Sequence, residues 1–123
     1  MMQHTLSRWF TVEQVGDVTV VRFAHASIRD DEVVDEVRHQ LFEMVGQGQR
    51  LVVLNLGRVI ALASRALGVL VGLHRKLDAV GGRLVLCEVS PFLYEFFETA
   101  NLPGLLCIRG GEREAVLALS PSA

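Results

Sequence analysis

Several classes of protein are excluded by what this sequence lacks. Its longest apolar stretches are interrupted by Arg58, Ser64 and Arg65, so no segment is expected to cross or insert into a membrane. Lysine and arginine form no cluster and the formal net charge is only -2, which argues against nucleic acid, because phosphate binding requires a basic surface. Residues 1–10 lack the apolar run of a signal peptide. We therefore expect a cytoplasmic protein.

The residue patterns that carry catalysis are also missing. Neither a phosphate-binding glycine loop nor a metal-ligand spacing occurs, and no nucleophile–histidine–carboxylate set can be assembled. The four histidines lie in four separate segments: His4, His25, His39 and His74. Cys87 and Cys107 each lie inside an apolar run, which favours free thiols in a reducing compartment. We expect no enzyme activity, no cofactor and no metal.

The residues that are present predict one well-packed domain. Half of the 123 residues are hydrophobic, enough for a single core but too few residues for two domains. We therefore treat residues 1–123 as one domain, with an ordered core over about 8–120. Two β-rich runs, residues 10–15 and 18–23, flank Gly16-Asp17, which predicts a β-hairpin.

Helices and strands are expected to alternate after the hairpin. The acidic run Asp30-Asp31-Glu32 ahead of an apolar helical face predicts a first helix with acids in its first turn, which Gly46 and Gly48 stop. Ser90-Pro91 is typical of a helix start. The remaining elements are predicted as strands at 51–56, 83–87 and 105–108 and helices at 64–80, 91–100 and 112–119. The order ββαβαβαβα indicates an α/β fold with helices packed on a mixed sheet.

Short motifs follow one another in a recognisable order from Leu51 onward. They are a buried strand ending at Asn55-Leu56, a loop at 57–62, the helix start Ala63-Ser64-Arg65-Ala66-Leu67-Gly68, a strand after Gly81-Gly82, and a turn at 101–106. This ordered combination resembles the STAS domain, the fold of bacterial anti-sigma-factor antagonists. The hairpin and first helix fit that fold as well, so the resemblance covers nearly the whole chain and implies a STAS-type mixed sheet.

The resemblance implies a role in the regulation of transcription. In the antagonist proteins, a partner kinase that is itself an anti-sigma factor phosphorylates a serine at the start of this helix, and a phosphatase removes the phosphate. The unmodified antagonist binds the kinase, which releases the sigma factor. The corresponding serine here is Ser64. Ala63 and Asn55 replace two acids of the family pattern, and Arg65-Ala66 replaces its Ser-Gly pair.

A helical wheel of residues 64–80 separates an apolar face from a bare one. The apolar face is predicted to pack on the sheet: Ala66, Leu67, Leu70, Leu73, His74 and Leu77. The bare side carries Ser64, Gly68, Gly72, Arg75 and Ala79, with Arg65, Val69 and Lys76 at its border. Glycine in a helix costs about 1 kcal/mol relative to alanine, so we interpret the glycines as allowing close approach of a partner. The predicted partner-binding residues are Asn55, Ala63, Ser64, Arg65, Gly68, Val69, Gly72 and Arg75.

A phosphate on Ser64 would suit the positive end of the helix dipole but would be unfavourable inside a packed interface. Arg65 could hold it. Simpler interpretations are open: Ser64 can be only an N-cap, and Gly68 and Gly72 can reflect drift or helix packing.

Three phenylalanines are expected in the core: Phe92, Phe96 and Phe97.

Two other functions are compatible with the resemblance. Some STAS-like domains are accessory subunits of ABC-type lipid transporters and use the same helix surface, and others sense small ligands such as nucleotides or lipids. The neighbouring genes would distinguish these functions. The sequence also leaves open whether the domain forms a homodimer.

Overall fold

The structure, a computed structural model, describes residues 7–120 and contains a five-stranded mixed sheet with helices on both faces. The elements are β1 (Phe10–Val15), β2 (Val18–Phe23), β3 (Ser27–Ile28), α1 (Asp31–Gly46), β4 (Leu51–Asn55), β5 (Ala61–Leu62), α2 (Ser64–Ala79), β6 (Arg83–Cys87), α3 (Pro91–Thr99), β7 (Cys107–Arg109) and α4 (Glu112–Leu119). The predicted fold class is confirmed, and two short strands are added to it.

The large sheet has the strand order β1-β2-β4-β6-β7. β1 pairs antiparallel with β2 through the predicted hairpin, where Gly16 adopts a φ of 60° that glycine tolerates. All the other pairs in this sheet are parallel. The carboxyl ends of β2, β4, β6 and β7 therefore lie along one edge of the sheet.

Side chains that alternate along the strands fill two separate cores. One face packs against α1, α2 and α3, with Val52 and Leu54 of β4 pointing into that core. Within residues 7–120, the other face packs against α4 alone, through residues such as Val53 and Ala115. β4 is thus covered on both faces, which explains why residues 51–54 form an uninterrupted apolar run.

The acidic start of α1, its end near Gly46 and Gly48, and the Ser90 cap of α3 follow the predicted local signals, and the structure adds a cap at Asp30. Asp30 caps α1, since its Oδ1 accepts a hydrogen bond of 2.9 Å from the Glu32 backbone N–H. Gly48, just past the helix, has a φ of 109°. Ser90 caps α3 by accepting a bond of 3.1 Å from the Leu93 backbone N–H.

Three local predictions were wrong. The predicted loop at 57–62 contains β5, which pairs in parallel with β3 in a second, two-stranded sheet. The last strand is Cys107–Arg109 and not 105–108, because the Leu105 and Leu106 amides both bond to the Leu102 carbonyl in a turn. Strands of two or three residues are too short to show a hydrophobic period.

The third wrong prediction concerns Phe92. It is 71% exposed, whereas Leu93 and Phe97 are buried and Phe96 is half-buried. α3 has only nine residues and directs Leu93 and Phe97, one helical turn apart, toward the core. Phe92 lies on the outer side of α3 and carries a large apolar surface that residues 7–120 leave uncovered.

Both cysteines are free thiols, as expected. Burial, with a smaller contribution from the charge of Glu88, raises the pKa of Cys87 to about 12. Cys87 is therefore a protonated core residue at neutral pH and not a reactive thiol. Among the helices within residues 7–120, none has both the length and the apolar character to cross a membrane.

Candidate functional site

Ser64 is the first residue of α2 and does not cap it. The N-cap position belongs to Ala63, which has extended backbone angles (φ -71°, ψ 154°) and forms no side-chain cap bond. Ser64 is exposed, and within residues 7–120 its hydroxyl has no hydrogen-bond partner. The interpretation of Ser64 as an N-cap is therefore wrong, and its hydroxyl faces solvent at the start of a helix.

The small β3–β5 sheet fixes the chain just before Ser64. The Ile60 and Ala61 amides donate to the Ala26 carbonyl at 2.8 and 3.1 Å, and the Ala63 amide donates to the Ile28 carbonyl at 3.0 Å. Ile28 is buried in the main core. The segment that leads into α2 is thus tied to the body of the domain, and the position of Ser64 is set by backbone hydrogen bonds.

Arg65 joins the first turn of α2 to α1. Its guanidinium lies 2.6 Å from Asp35 Oδ1 and 3.1 Å from Asp31 Oδ1. The hydrogen bonds to Asp35, and then to Asp31, raise the pKa of Arg65, so these two acids favour the charged form of its guanidinium. The sequence predicts that Arg65 could hold a phosphate on Ser64, and to do so Arg65 would have to leave an acid on α1.

The exposed face of α2 is narrower than the helical wheel predicts. Val69 is buried at 8% exposure, so its predicted place at the border of the bare side is wrong. Gly72 is half-buried, and a Cβ there would come within 3.0 Å of Phe42 Cζ on α1. α1 packs on this flank of α2. The helical wheel does not account for this contact, because it assumes that α2 is buried against the sheet alone.

Four residues of the predicted bare side of α2 are exposed, and we call them the α2 outer stripe: Ser64, Gly68, Arg75 and Ala79. Gly68 has no atom of another residue within 4 Å of where a Cβ would lie, so helix packing within the domain does not explain it. Glycine here lowers helix stability without any structural gain in the domain itself. The stripe is a bare surface that begins at the free hydroxyl of Ser64.

Asn55, which the sequence predicts as a partner-binding residue, is part of an internal hydrogen-bond network. Its Nδ2 donates to Glu112 Oε1 at 2.8 Å, and its Oδ1 accepts from the Gly57 amide at 2.8 Å. Arg22 donates to both carboxylate oxygens of Glu112, at 2.8 and 2.7 Å, and lies 2.7 Å from Glu13 Oε1. This network joins β1, β2 and β4 to the first residue of α4.

The network gives a reason for the amide at position 55. The hydrogen bonds from Arg22 lower the pKa of Glu112, and the bond from Asn55 lowers it further. Burial acts in the opposite direction and raises it. An aspartate at 55 would place a second carboxylate next to that of Glu112, where like charges repel. Sequence reasoning missed Arg22 and Glu112 because 90 residues separate them, and no local signal indicates the pairing.

Several known proteins are similar to this chain in sequence and in fold. A model of the STAS domain matches residues 10–115. BtrV of Bordetella bronchiseptica, a candidate anti-sigma factor antagonist, is 34% identical over 89 residues, which cover 72% of this chain and 76% of BtrV. The anti-sigma F factor antagonist of Paenibacillus polymyxa is 28% identical over 91 residues, covering 73% and 78%. The Bacillus cell-fate determinant SpoIIAA in its phosphorylated form superposes with a TM-score of 0.70 at 26% identity, covering 90% of this chain and 99% of SpoIIAA.

Proposed function

Because this chain belongs to the STAS domain family, we propose that it is an anti-sigma factor antagonist controlled by phosphorylation of Ser64. In its unmodified form it binds a serine-kinase-type anti-sigma factor, through the α2 outer stripe and the adjoining first turn of α2. The kinase phosphorylates Ser64 and the complex dissociates. A serine phosphatase then restores the binding form. Since a sigma factor acts on RNA polymerase, we place this cycle in the cytoplasm.

The observation that carries the proposal is the free, exposed hydroxyl of Ser64 at the first position of α2. A serine at a helix start usually stabilises the helix through its side chain, and Ser64 does not. Its hydroxyl is therefore accessible to a kinase, and its modification would break no hydrogen bond of the described domain.

The relatives support both parts of the proposal. Proteins named anti-sigma F factor antagonists are similar over about three quarters of this chain. SpoIIAA, one of the similar solved structures, exists in a phosphorylated form. The likeness supports a protein partner for this chain and a phosphate as the switch.

The geometry supports release of the partner without unfolding of the domain. A phosphate adds close to two negative charges at the first turn of α2, where the helix dipole favours them. The same charge would be poorly solvated inside a packed interface, where an unpaired buried charge typically costs about 2 kcal/mol or more. Asp31 and Asp35 lie on α1 beside this turn, so a phosphate would also compete with them for Arg65.

Affinity capture from lysate of the native host, with wild-type, Ser64→Ala and Ser64→Asp proteins as parallel baits, tests the switch. We expect wild type and Ser64→Ala to retain an anti-sigma-factor kinase. We expect Ser64→Asp to bind that kinase, once it is purified, at least ~30-fold more weakly by calorimetry. Incubation with the kinase and ATP should add one phosphate, which mass spectrometry locates at Ser64.

The matched control is Ser120→Asp, which adds the same charge beyond the end of α4, on the opposite face of the sheet. It should bind the kinase like wild type. Equal binding by Ser64→Ala and Ser64→Asp would refute the switch. Retention of a transporter ATPase by all baits would instead identify the domain as a constitutive adaptor.

A further inference from the structure

Two exposed apolar side chains, Ile60 and Phe92, line the same surface groove. The groove lies between α3 and residues 60–62 and has a volume of about 480 Å³. Ile60 is 59% exposed and Phe92 is 71% exposed. Burial of such a side chain is typically favourable by about 1.5–3 kcal/mol, so leaving both in water is unfavourable. The other large exposed apolar residues of the described chain lie elsewhere: Val15, Val80, Leu105 and Leu117.

Opposite charges flank this apolar groove. Arg29 belongs to the side that leads from β3 into α1, whereas Glu95 belongs to α3 on the other side. Within residues 7–120, neither side chain takes part in an ion pair or a side-chain hydrogen bond. The groove therefore presents one cation and one anion, both without a partner in the described domain.

We propose that this groove is a self-association surface that binds the same groove of a second copy of the chain. Phe92 of each copy enters the groove of the other, and Arg29 of each copy faces Glu95 of the other. A two-fold contact requires a patch that is complementary to itself, in which residue i meets j and j meets i. An apolar side chain beside an apolar groove, flanked by one charge of each sign, satisfies this requirement.

The chemistry of the patch favours a second copy over an unrelated partner. A patch with charges of one sign would repel its own copy, whereas this one forms two opposite-charge pairs with it. One groove of about 480 Å³ and two ion pairs make up the proposed contact, so we expect a reversible dimer of the weak, transient class. Self-association requires no anti-sigma factor, so its test is independent of the proposed function.

Sedimentation velocity of the full chain between about 5 and 500 µM measures the association. We expect wild type to shift from one to two chain masses over this range. Phe92→Ala should weaken the dimer at least ~30-fold, because central aromatic residues usually dominate an interface. Leu117→Asp on α4, whose side chain is 65% exposed, is the matched control and should associate like wild type.

A charge-swap experiment tests the pairing itself. Arg29→Glu and Glu95→Arg each turn both contacts into like-charge pairs and should each weaken self-association at least ~10-fold. An equimolar mixture of the two variants restores both attractive contacts, so it should associate within about threefold of wild type. Circular dichroism confirms that each variant is folded.

Each of three results would overturn the proposal: a wild type that stays monomeric at 500 µM, a dimer that Phe92→Ala leaves unchanged, or a mixture that associates no better than its components. Recovery of the mixture with an unchanged Leu117→Asp control would establish the groove as the dimer contact.

Discussion

Ser64 and Ser90 both lie at helix starts, but they occupy different positions of the first turn. Ser90 precedes α3 as its N-cap and accepts a backbone hydrogen bond. Ser64 is already inside α2, one residue past an alanine at the N-cap. The serine at position 90 therefore stabilises α3, whereas the hydroxyl of the serine at position 64 is free for another role.

Alanine substitutions separate these two roles. We expect Ser90→Ala to lower the free energy of unfolding by about 1 kcal/mol, the usual effect of losing a cap. Ser64→Ala should change it by less than about 0.3 kcal/mol, since no cap bond is lost. Urea denaturation of both variants measures the difference. A loss at Ser64 equal to that at Ser90 would identify Ser64 as a structural residue after all.

Glu112 makes the stability of the domain depend on pH. Its folded-state pKa lies below the ordinary value because of Arg22 and Asn55. A depressed carboxyl pKa contributes stability that is fully present above the unfolded-state pKa and is lost as the pH falls through the folded-state pKa. This contribution therefore exists at neutral pH and declines as the pH drops below about 4.5.

Glu112→Gln removes this contribution. At pH 7 we expect the variant to be less stable by about 1 kcal/mol, a modest value because the Arg22 side chain is 38% exposed and solvent screens the pair. The difference from wild type should shrink as the pH falls through the folded-state pKa of Glu112. Glu114→Gln, in the same helical turn, is the control: within residues 7–120 the Glu114 carboxylate forms no ion pair, so this variant should be as stable as wild type at pH 7. A constant difference at every pH would contradict the assigned role.

At the scale of the elements, two glycines in α2 and in the turn after it differ in whether the fold has room for a Cβ. Gly68 lies on the outer stripe with open space where a Cβ would lie. Gly82 is buried between α2 and β6, and a Cβ there would lie 2.3 Å from the Arg50 carbonyl oxygen. The Gly82 amide also donates to the Leu77 carbonyl at 2.7 Å, which holds the turn in place. Of these two glycines, only Gly82 is required by the packing of the domain.

Alanine at these two positions should therefore change stability in opposite directions. Gly68→Ala should raise the free energy of unfolding by about 0.5–1 kcal/mol through helix propensity. Gly82→Ala should lower it by about 2 kcal/mol or more, because a backbone carbonyl cannot move aside cheaply. Thermal and urea unfolding measure both. If Gly68→Ala stabilises the domain but weakens capture of the kinase, Gly68 serves the interface; unchanged capture would remove it from the proposed surface.

At the scale of the whole molecule, the two faces of the sheet are covered unequally. Three helices cover one face, whereas the other is covered by α4, a helix of eight residues. α4 buries only Ala115 and Leu119 fully and is also held by the Glu112 network. β7, beside it, is an edge strand of three residues. This side of the domain has the smaller core.

Hydrogen exchange should detect this asymmetry. We expect amides of α4 and β7 to exchange through local opening at a lower free energy than those of the central strands β2 and β4. Native-state exchange measured by NMR at low denaturant concentrations gives these free energies residue by residue. Equal values for α4 and for Val53 of β4 would show instead that the domain opens only as a single unit.

The sequence by itself determined the order and type of the main elements. The hairpin, α1 and α4, and the cap at Ser90 follow from signals within a few residues, and such signals act locally whatever the rest of the chain does. The position of Ser64 at a helix start also follows from local signals. Its place inside the turn, after Ala63, depends on backbone angles that residue types alone do not fix.

Only the tertiary structure decided which faces are free. α1 covers the flank of α2 that holds Val69 and Gly72, while α3 leaves Phe92 in solvent. The bond between Asn55 and Glu112 joins residues 57 positions apart. Contacts over such distances leave no periodic trace in a single sequence, because they depend on how the sheet and helices pack together. The physical reason is that hydrophobic patterning specifies that a face must be buried, but not which neighbour buries it.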